Sequence, residues 1–389
     1  MSFNMIIGMG NTGFQIVKAA ADSDKLDNCV FYTIDSVTSS VDMKSVGKIN
    51  MVSLISDDKA GSGRSRERGA AMFEFHDKNG TFAELYADAE KAKTPILIVT
   101  SAAGGTGSGS TPSLCKYFVD RGIPVIPIII VPALNDPTAF HLNTNDLMME
   151  LGSIGVNTYC VFRNEYGKAD YTQINQEVVT AIEIILGKHF AQTDKDSIDD
   201  SDLDVLLSTP GRFVVVEATA QTPAQLKRVI TQCVLNGHQP FTSVDAGANT
   251  LMTAYALASP FASGDFEEVF SELNSRINKR FDEYRHICDR DGACCATVII
   301  AGLPQAELKM ITDEYQTATG ISEGISKKSS RPPFMQKKGS VRSVTPANKE
   351  FTKPTPIVVP EQTIANADTT EDLPAFKHFN VHDAVEVTQ

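Results

Sequence analysis

Two glycine-rich runs concentrate the residues of this chain that could hold an anion. Gly8, Gly10 and Gly13 follow G-x-G-x-x-G spacing in Gly8-Met9-Gly10-Asn11-Thr12-Gly13, and Gly104-Gly105-Thr106-Gly107-Ser108-Gly109 follows the apolar segment Ile96 to Ser101. Glycine lets a backbone turn sharply and approach a phosphate closely, while a helix opening just beyond it offers free N–H groups and a positive dipole end. The second run, with its helix expected to start near Pro112, would present consecutive amides and the hydroxyls of Thr106 and Ser108. That is a cradle for a di- or triphosphate. It lacks the lysine of G-x-x-x-x-G-K-S/T, so it is not a loop of that type. A flexible linker is the plain alternative, although linkers rarely stand between a buried strand and a helix. The first run alone fits a dinucleotide-binding oxidoreductase equally well, because Asp35 ends the second expected strand, where an acid would hydrogen-bond a ribose.

The elements that must position these runs are legible as an alternation. Met5 to Gly8, Val30 to Ile34, Ile96 to Ser101, Val125 to Val131 and Asn157 to Phe162 are short apolar runs rich in β-branched residues, separated by helix-length segments. This pattern predicts an α/β fold with a parallel, Rossmann-like sheet. From Thr172 to Phe190, Ile174, Val178, Ile182, Ile185 and Leu186 fall near helical spacing and predict one long central helix. A smaller α/β domain should follow. Its signals are a strand at Arg212 to Glu217, Thr222-Pro223 opening a helix through Leu235, a capping-box-like start at Asp265 and Glu268, and a strand at Ala296 to Ala301. The second of these helices would bury Phe266, Val269, Phe270, Leu273, Ile277 and Phe281. Polar composition from Ser322 to Gln389 predicts a disordered tail. The expected divisions are 1–170, 171–211, 212–321 and 322–389.

Composition narrows the function. At 389 residues and 42% hydrophobic the chain is long enough for two packed domains. Its longest apolar run, Ile123 to Leu134, is broken by prolines and is far below the roughly 20 residues that cross a bilayer. The opening MSFNMIIGMG has no basic leader segment and reads as a first strand, so a cytoplasmic location is expected. Seven cysteines without a C-x-x-C pair argue against zinc and a disulfide framework, and adjacent Cys294 and Cys295 read as strand residues. A net charge of -13 disfavours nucleic-acid binding over the whole surface. Locally, Lys327, Lys328, Arg331, Lys337, Lys338 and Arg342 form a basic stretch that could meet DNA, a DNA-bound adaptor or another acidic surface.

With these residues in view, the chain resembles the tubulin/FtsZ superfamily. The second run matches its signature G-G-G-T-G-S/T-G with Ala103 at the first glycine, and the likeness extends from the first strand to Ala301. It implies a GTPase whose sheet is joined by the central helix to a smaller domain, binding GTP and GDP with Mg²⁺ carried by the nucleotide and no dedicated metal ligands. On this resemblance Gly8, Gly10, Asn11, Gly13 and Ala103 to Gly109 surround the phosphates, Asp35 lies in the second loop, and Gly61, Ser62, Gly63 and Arg64 in a third loop that senses the γ-phosphate. Asn164 would touch ribose or base. Tyr171 and Asn175, four apart and so on one helical face, fit the stacking aromatic and the guanine-reading asparagine. The acidic pattern N-x-D-x-x-D falls on Ser197 to Asp202, with serine for asparagine, which implies Asp199 and Asp202 as catalytic carboxylates presented to the next subunit's GTP. A solvated loop capping a helix is the alternative there, and a register slip would bring in Asp200 or Asp204. The resemblance implies head-to-tail self-assembly into filaments and is greatest to the TubZ and PhuZ tubulins of plasmids and bacteriophages, which move or position DNA or phage particles. An FtsZ-like division protein, a filament scaffold without turnover and a Rossmann NAD-dependent oxidoreductase are the alternatives. Asp372-Leu373-Pro374-Ala375-Phe376 is faintly similar to an adaptor-binding peptide of division proteins.

Overall fold

The computed structural model describes residues 3–36, 47–55, 61–165, 171–190, 197–239, 251–277 and 281–303. The basic stretch, the Asp372 to Phe376 segment and the expected tail lie outside the described residues. In chain order, β1 (Asn4–Met9) passes directly into α1 (Gly10–Ala21), followed by β2 (Cys29–Asp35) and β3 (Ile49–Ser53). Helices α2 (Arg66–Lys78) and α3 (Ala83–Ala89) precede β4 (Lys93–Ser101), α4 (Thr106–Val119), β5 (Val125–Val131), α5 (Thr138–Ser153) and β6 (Thr158–Arg163). Then come α6 (Thr172–Ile185), α7 (Asp200–Ser208), β7 (Gly211–Ala220), α8 (Pro223–Asn236), β8 (Leu251–Ser259), α9 (Ala262–Ile277), β9 (Phe281–Asp289) and β10 (Cys294–Leu303). This is the expected α/β fold.

Among the described residues these strands form one sheet, ordered β3-β2-β1-β4-β5-β6-β7-β10-β8-β9. Every pairing from β3 to β7 is parallel. β10 runs antiparallel to both β7 and β8. Alternate residues of β4 face opposite cores, with Leu97 and Val99 on one side and Ile96 and Ile98 on the other. A strand buried on both faces must be apolar throughout, which is why these strands read as continuous runs. One face is covered by α1, α6 and α7, the other by α2 to α5. The first core continues past β6, because Val215, Ala254, Ile299 and Ala301 pack in the same cluster as α6. A third core lies under α8 and α9, where Leu226, Ile230, Phe266 and Phe270 meet Val214, Val298 and Ile300.

Several boundaries differ from expectation for physical reasons. α6 stops at Ile185 because Gly187 adopts φ +73, with its N–H on Ile184 and the Lys188 N–H on the Glu183 carbonyl, a glycine-terminated helix end. Phe281 opens edge strand β9 and does not extend α9, which begins three residues before Asp265 at Ala262. Thr222 does cap α8 through Gln225 N, at 3.3 Å. Strands β3, β8 and β9 are absent from the sequence reading: β9 carries the charges of an edge strand and β8 is rich in alanine, so neither shows apolar alternation.

A charged cluster ties the two halves of the sheet across α6. His189 Nδ1 lies 2.5 Å from Glu217 Oε2 on β7 and its Nε2 2.8 Å from Glu183 Oε2 on α6. Lys25 reaches Glu183 at 3.1 Å, and Ser23 Oγ donates to Glu183 Oε1 at 2.6 Å. Burial alone lowers the His189 pKa, but the two carboxylates outweigh it and raise it above 6.5, although Lys25 opposes them. Burial would raise Glu183 and Glu217, but hydrogen bonds to Ser23, His189 and Lys25 on the one, and to His189 on the other, hold both below 4.5. The histidine's contribution to stability is therefore full below pH 6.5 and is lost as pH rises through its raised folded pKa, while the glutamates' contribution is present above 4.5 and lost as pH falls. Melting temperature is expected to fall as pH rises above about 6.5 through the raised pKa of His189, and to fall less in His189→Gln. Parallel pH profiles for the two proteins in differential scanning calorimetry would refute this.

Candidate functional site

The strand order reverses direction between β1 and β4, which pair Gly8 with Val99 and Met9 with Thr100. Ligands of doubly wound sheets sit beyond the carboxyl ends of strands at such a point. Here α1 begins at Gly10 and α4 at Thr106, so the loop of the second run is only Ala102 to Gly105 and its remaining glycines are helical. Neither helix has a side-chain cap or an acidic residue in its first turn. Helices α2, α7 and α8 are capped by Ser65, Asp199 and Thr222, whereas α3, α5 and α6 share the lack of a side-chain cap; what sets α1 and α4 apart is that their starts abut. The first N–H groups of any helix have no partner within it, and among the described residues those of α1 and α4 meet no side-chain cap. Gly10, at φ +70, brings the two starts together: a Cβ there would stand 3.1 Å from Gly107 N. Two positive helix ends side by side, each equivalent to roughly half a charge, make an anion site.

The remaining glycines serve packing or leave room. Gly8 and Gly13 face each other, since a Cβ on Gly8 would lie 2.5 Å from Gly13 O and one on Gly13 2.6 Å from Val99 O. Gly105 abuts Ser62 and Ser65, and Gly109 abuts the Arg66 carbonyl. Among the described residues nothing lies within 4 Å of a Cβ built on Gly104. Ala103 is not left-handed, because Arg64, at φ 65, is the non-glycine residue with positive φ among those described. Asn11 is exposed in the first turn of α1.

Hydroxyls join three loops behind this cradle. Ser36 Oγ lies 2.6 Å from Thr106 Oγ1, which donates to Ser62 Oγ at 3.0 Å, and Gly61 N donates to the Ser36 carbonyl at 2.9 Å. Ser108 Oγ donates to the Gly104 carbonyl. The hydroxyls of Thr106 and Ser108 are thus engaged within the protein, which leaves the amides as the groups open to an anion. Gly63 follows Ser62 at φ +62, and Arg64 lies over the Phe140 ring at 4.9 Å. The Asp35 carboxylate accepts from Ser36 N at 2.7 Å, turned toward its own loop.

Beside the cradle, Asn164 leaves β6 with its N–H on the Val131 carbonyl, at 3.0 Å. Tyr171, 48% exposed, precedes α6, and its carbonyl accepts from Asn175 N at 3.0 Å. Both stand at the start of α6, which packs against α1 in the first core. His238 bridges this region, 2.7 Å from Glu177 and 3.1 Å from Glu165.

The acids lie elsewhere. Asp199 Oδ1 accepts from Ser201 N at 2.8 Å and Asp202 N at 3.0 Å, and Asp202 Oδ2 accepts from Asp199 N at 3.1 Å, a capping box that opens α7. The Ser201 hydroxyl and these backbone N–H groups hold the Asp199 carboxyl below its ordinary range. Neighbouring Asp200 and Asp204 line a cavity of about 420 Å³ with Asn4, Lys93 and Pro95, at the amino-terminal ends of β1 and β4. The length of a six-residue strand, about 20 Å, therefore separates these carboxylates from the cradle of their own chain.

Sequence reasoning missed Ser36, Arg66, Gly69 and Asn143. Gly69, inside α2 against the Gly105 carbonyl, carried a signal, because a helix-interior glycine implies close packing. The others stand in no motif.

No described protein family matches this chain, and no curated protein is similar to it in sequence. Solved structures do share its fold. CetZ2 from Haloferax volcanii, in a GTPγS-bound protofilament, matches with a TM-score of 0.65 and 18% identity over 82% of this chain and 98% of that one. TubZ of Clostridium botulinum phage c-st gives 0.61 and 13% over 81% and 98%. An empty FtsZ dimer from M. jannaschii gives 0.60 and 13% over 78% and 88%.

Proposed function

We propose that this chain, whose fold is that of the tubulin/FtsZ superfamily, binds GTP, polymerises head to tail and hydrolyses GTP where one subunit meets the next. The observation that carries this reading is the pair of abutting, uncapped helix starts at Gly10 and Thr106, with open space over Gly104. Gly8 to Gly13 and Ala103 to Gly109 would hold the phosphates, Gly61 to Arg64 would close over the γ-phosphate, and Asn164, Tyr171 and Asn175 would take ribose and base. Mg²⁺ would come with the nucleotide, since it favours phosphate oxygens and water. Asp199 and Asp202 stand toward the amino-terminal ends of β1 and β4, the opposite ends of these strands from the cradle. They would then serve the nucleotide of another copy, and a heterologous contact of that kind would propagate into a filament. The protofilament forms of the CetZ2 and Bacillus thuringiensis TubZ structures support the same geometry.

Within this class the proposed role is that of a TubZ-like filament that moves or positions plasmid or phage DNA or particles in a bacterial host's cytoplasm. The likeness to a phage TubZ supports it, and an FtsZ-like division filament is the competing role. The basic stretch Lys327 to Arg342 would supply the contact to DNA or to a DNA-bound adaptor. Full-length protein is expected to retard DNA in a gel while a chain ending at Ile321 does not. Equal mobility would remove the DNA link.

The primary test adds GTP–Mg²⁺ and follows light scattering, phosphate release and negative-stain images, with NAD as the control. Filaments and phosphate release are expected with GTP alone. Tight NAD binding with no response to GTP would end this reading, and scattering without phosphate release would leave a non-hydrolysing scaffold.

A further inference from the structure

Asn143, on α5 and outside every motif, points its amide at three carbonyls of two different loops. Nδ2 lies 3.0 Å from Ala103 O, 3.3 Å from Gly104 O and 3.3 Å from Arg64 O. We propose that Asn143 is the positioning residue of the phosphate cradle, holding those carbonyls on the outer side so that the amides of Gly104 and Gly105 face the nucleotide. This rests on the nucleotide-binding reading above and adds a residue to it.

Peptide geometry gives the clamp its direction. In a trans peptide the C=O and N–H point opposite ways. The Ala103 carbonyl shares its peptide plane with Gly104 N–H, and the Gly104 carbonyl shares its plane with Gly105 N–H. Drawing both carbonyls toward α5 turns both N–H groups away from α5, and among the described residues neither of them donates to another group. The third contact, to Arg64 O, ties the 61–64 loop to the same amide. One side chain therefore contacts both the loop that would hold the phosphates and the loop that would sense the terminal one; it shares the Gly104 carbonyl with the Ser108 hydroxyl and the link between the loops with the Thr106–Ser62 contact.

The clamp is itself held rigidly. Arg66, 6% exposed, donates to the backbone carbonyl of Asn143 at 3.2 Å, to Ser108 O at 3.0 Å and to Glu150 Oε2 at 2.6 Å. It thereby joins α2, α4 and α5 behind the loops. The Ser36, Thr106 and Ser62 hydroxyls fasten the other side. With two N–H groups for three carbonyls, the Asn143 amide has no donor left for any other task.

The test measures affinity for a fluorescent GDP analogue, at protein concentrations below assembly, in wild type, Asn143→Asp, Asn143→Ala and Asn143→Gln. Asn143→Asp matches the asparagine in size, loses both donors and sets a carboxylate against three carbonyls. Affinity is expected to fall about tenfold or more in Asn143→Asp and Asn143→Ala. Asn143→Gln, which keeps the amide, should recover part of the loss, and melting temperature without nucleotide should change little. Wild-type affinity in the Asp and Ala variants overturns the proposal. So does a loss that follows melting temperature and is not recovered by glutamine, which would mark a purely structural contact. If wild type itself binds neither GDP nor GTP, the nucleotide reading falls, a result that the variants cannot mimic.

Discussion

Asp202→Ala is expected to bind GTP and polymerise as wild type does but to release phosphate about 100-fold more slowly, the usual loss on removing a positioned catalytic group. The structure sharpens the experiment, because Asp202 also accepts from Asp199 N in the capping box of α7. Alanine removes that cap along with the carboxylate. Asparagine keeps an acceptor oxygen in the same place and is itself a good cap, so Asp202→Asn and Asp199→Asn separate helix capping from chemistry. Asp199 is ionised at neutral pH, since hydrogen bonds from Ser201 and Asp202 lower its pKa, and an exposed anion at those strand ends can orient water on a neighbour's nucleotide. If the Ala variant is slow while both Asn variants hydrolyse at the wild-type rate, the acids serve α7 alone. Wild-type rates in Asp202→Ala and Asp199→Ala would remove them from the mechanism altogether.

The central strands were legible because burial on both faces forces continuous apolar runs, as in Ile96 to Val99 and Val125 to Val131. At the edges that constraint lapses. β9 alternates charge with apolar residues too irregularly to announce itself, and its first residue, Phe281, continued the apolar face of α9 in sequence though not in space. The start of α4 was hidden for another reason: Thr106 to Ser110 alternates glycine with hydroxyl residues, all weak helix formers. Packing overrides that propensity here, because Gly105, Gly107 and Gly109 each lie where backbone from another element leaves no room for a Cβ. The glycine spacing thus marked the two loops while the residues packed behind them stayed hidden. Asn143, Arg66 and Ser36 act through contacts between residues distant in sequence, and no local pattern marks such residues.

The glycines of the second run also predict opposite outcomes for two neighbouring substitutions. A Cβ on Gly107 would stand 2.6 Å from Met9 O and 2.9 Å from Thr100 Oγ1, so Gly107→Ala must push α4 away from β1 and β4. Overpacking of this kind costs about 1–3 kcal/mol, and the melting temperature should fall with or without nucleotide. Among the described residues Gly104 meets nothing within 4 Å and its φ is not left-handed, so the fold should accept Gly104→Val. Yet that space lies over the loop whose amides would hold the phosphates. Gly104→Val is therefore expected to melt like wild type and to lose GDP and GTP affinity by about 100-fold or more, since a branched side chain would both fill the cradle and keep phosphate oxygens off the amides. Calorimetry and fluorescent-nucleotide titration on both variants decide the matter. A Gly104→Val protein that binds nucleotide at wild-type affinity would mean that the open space over Gly104 is not where phosphate sits, and the two helix starts would then lack the ligand assigned to them.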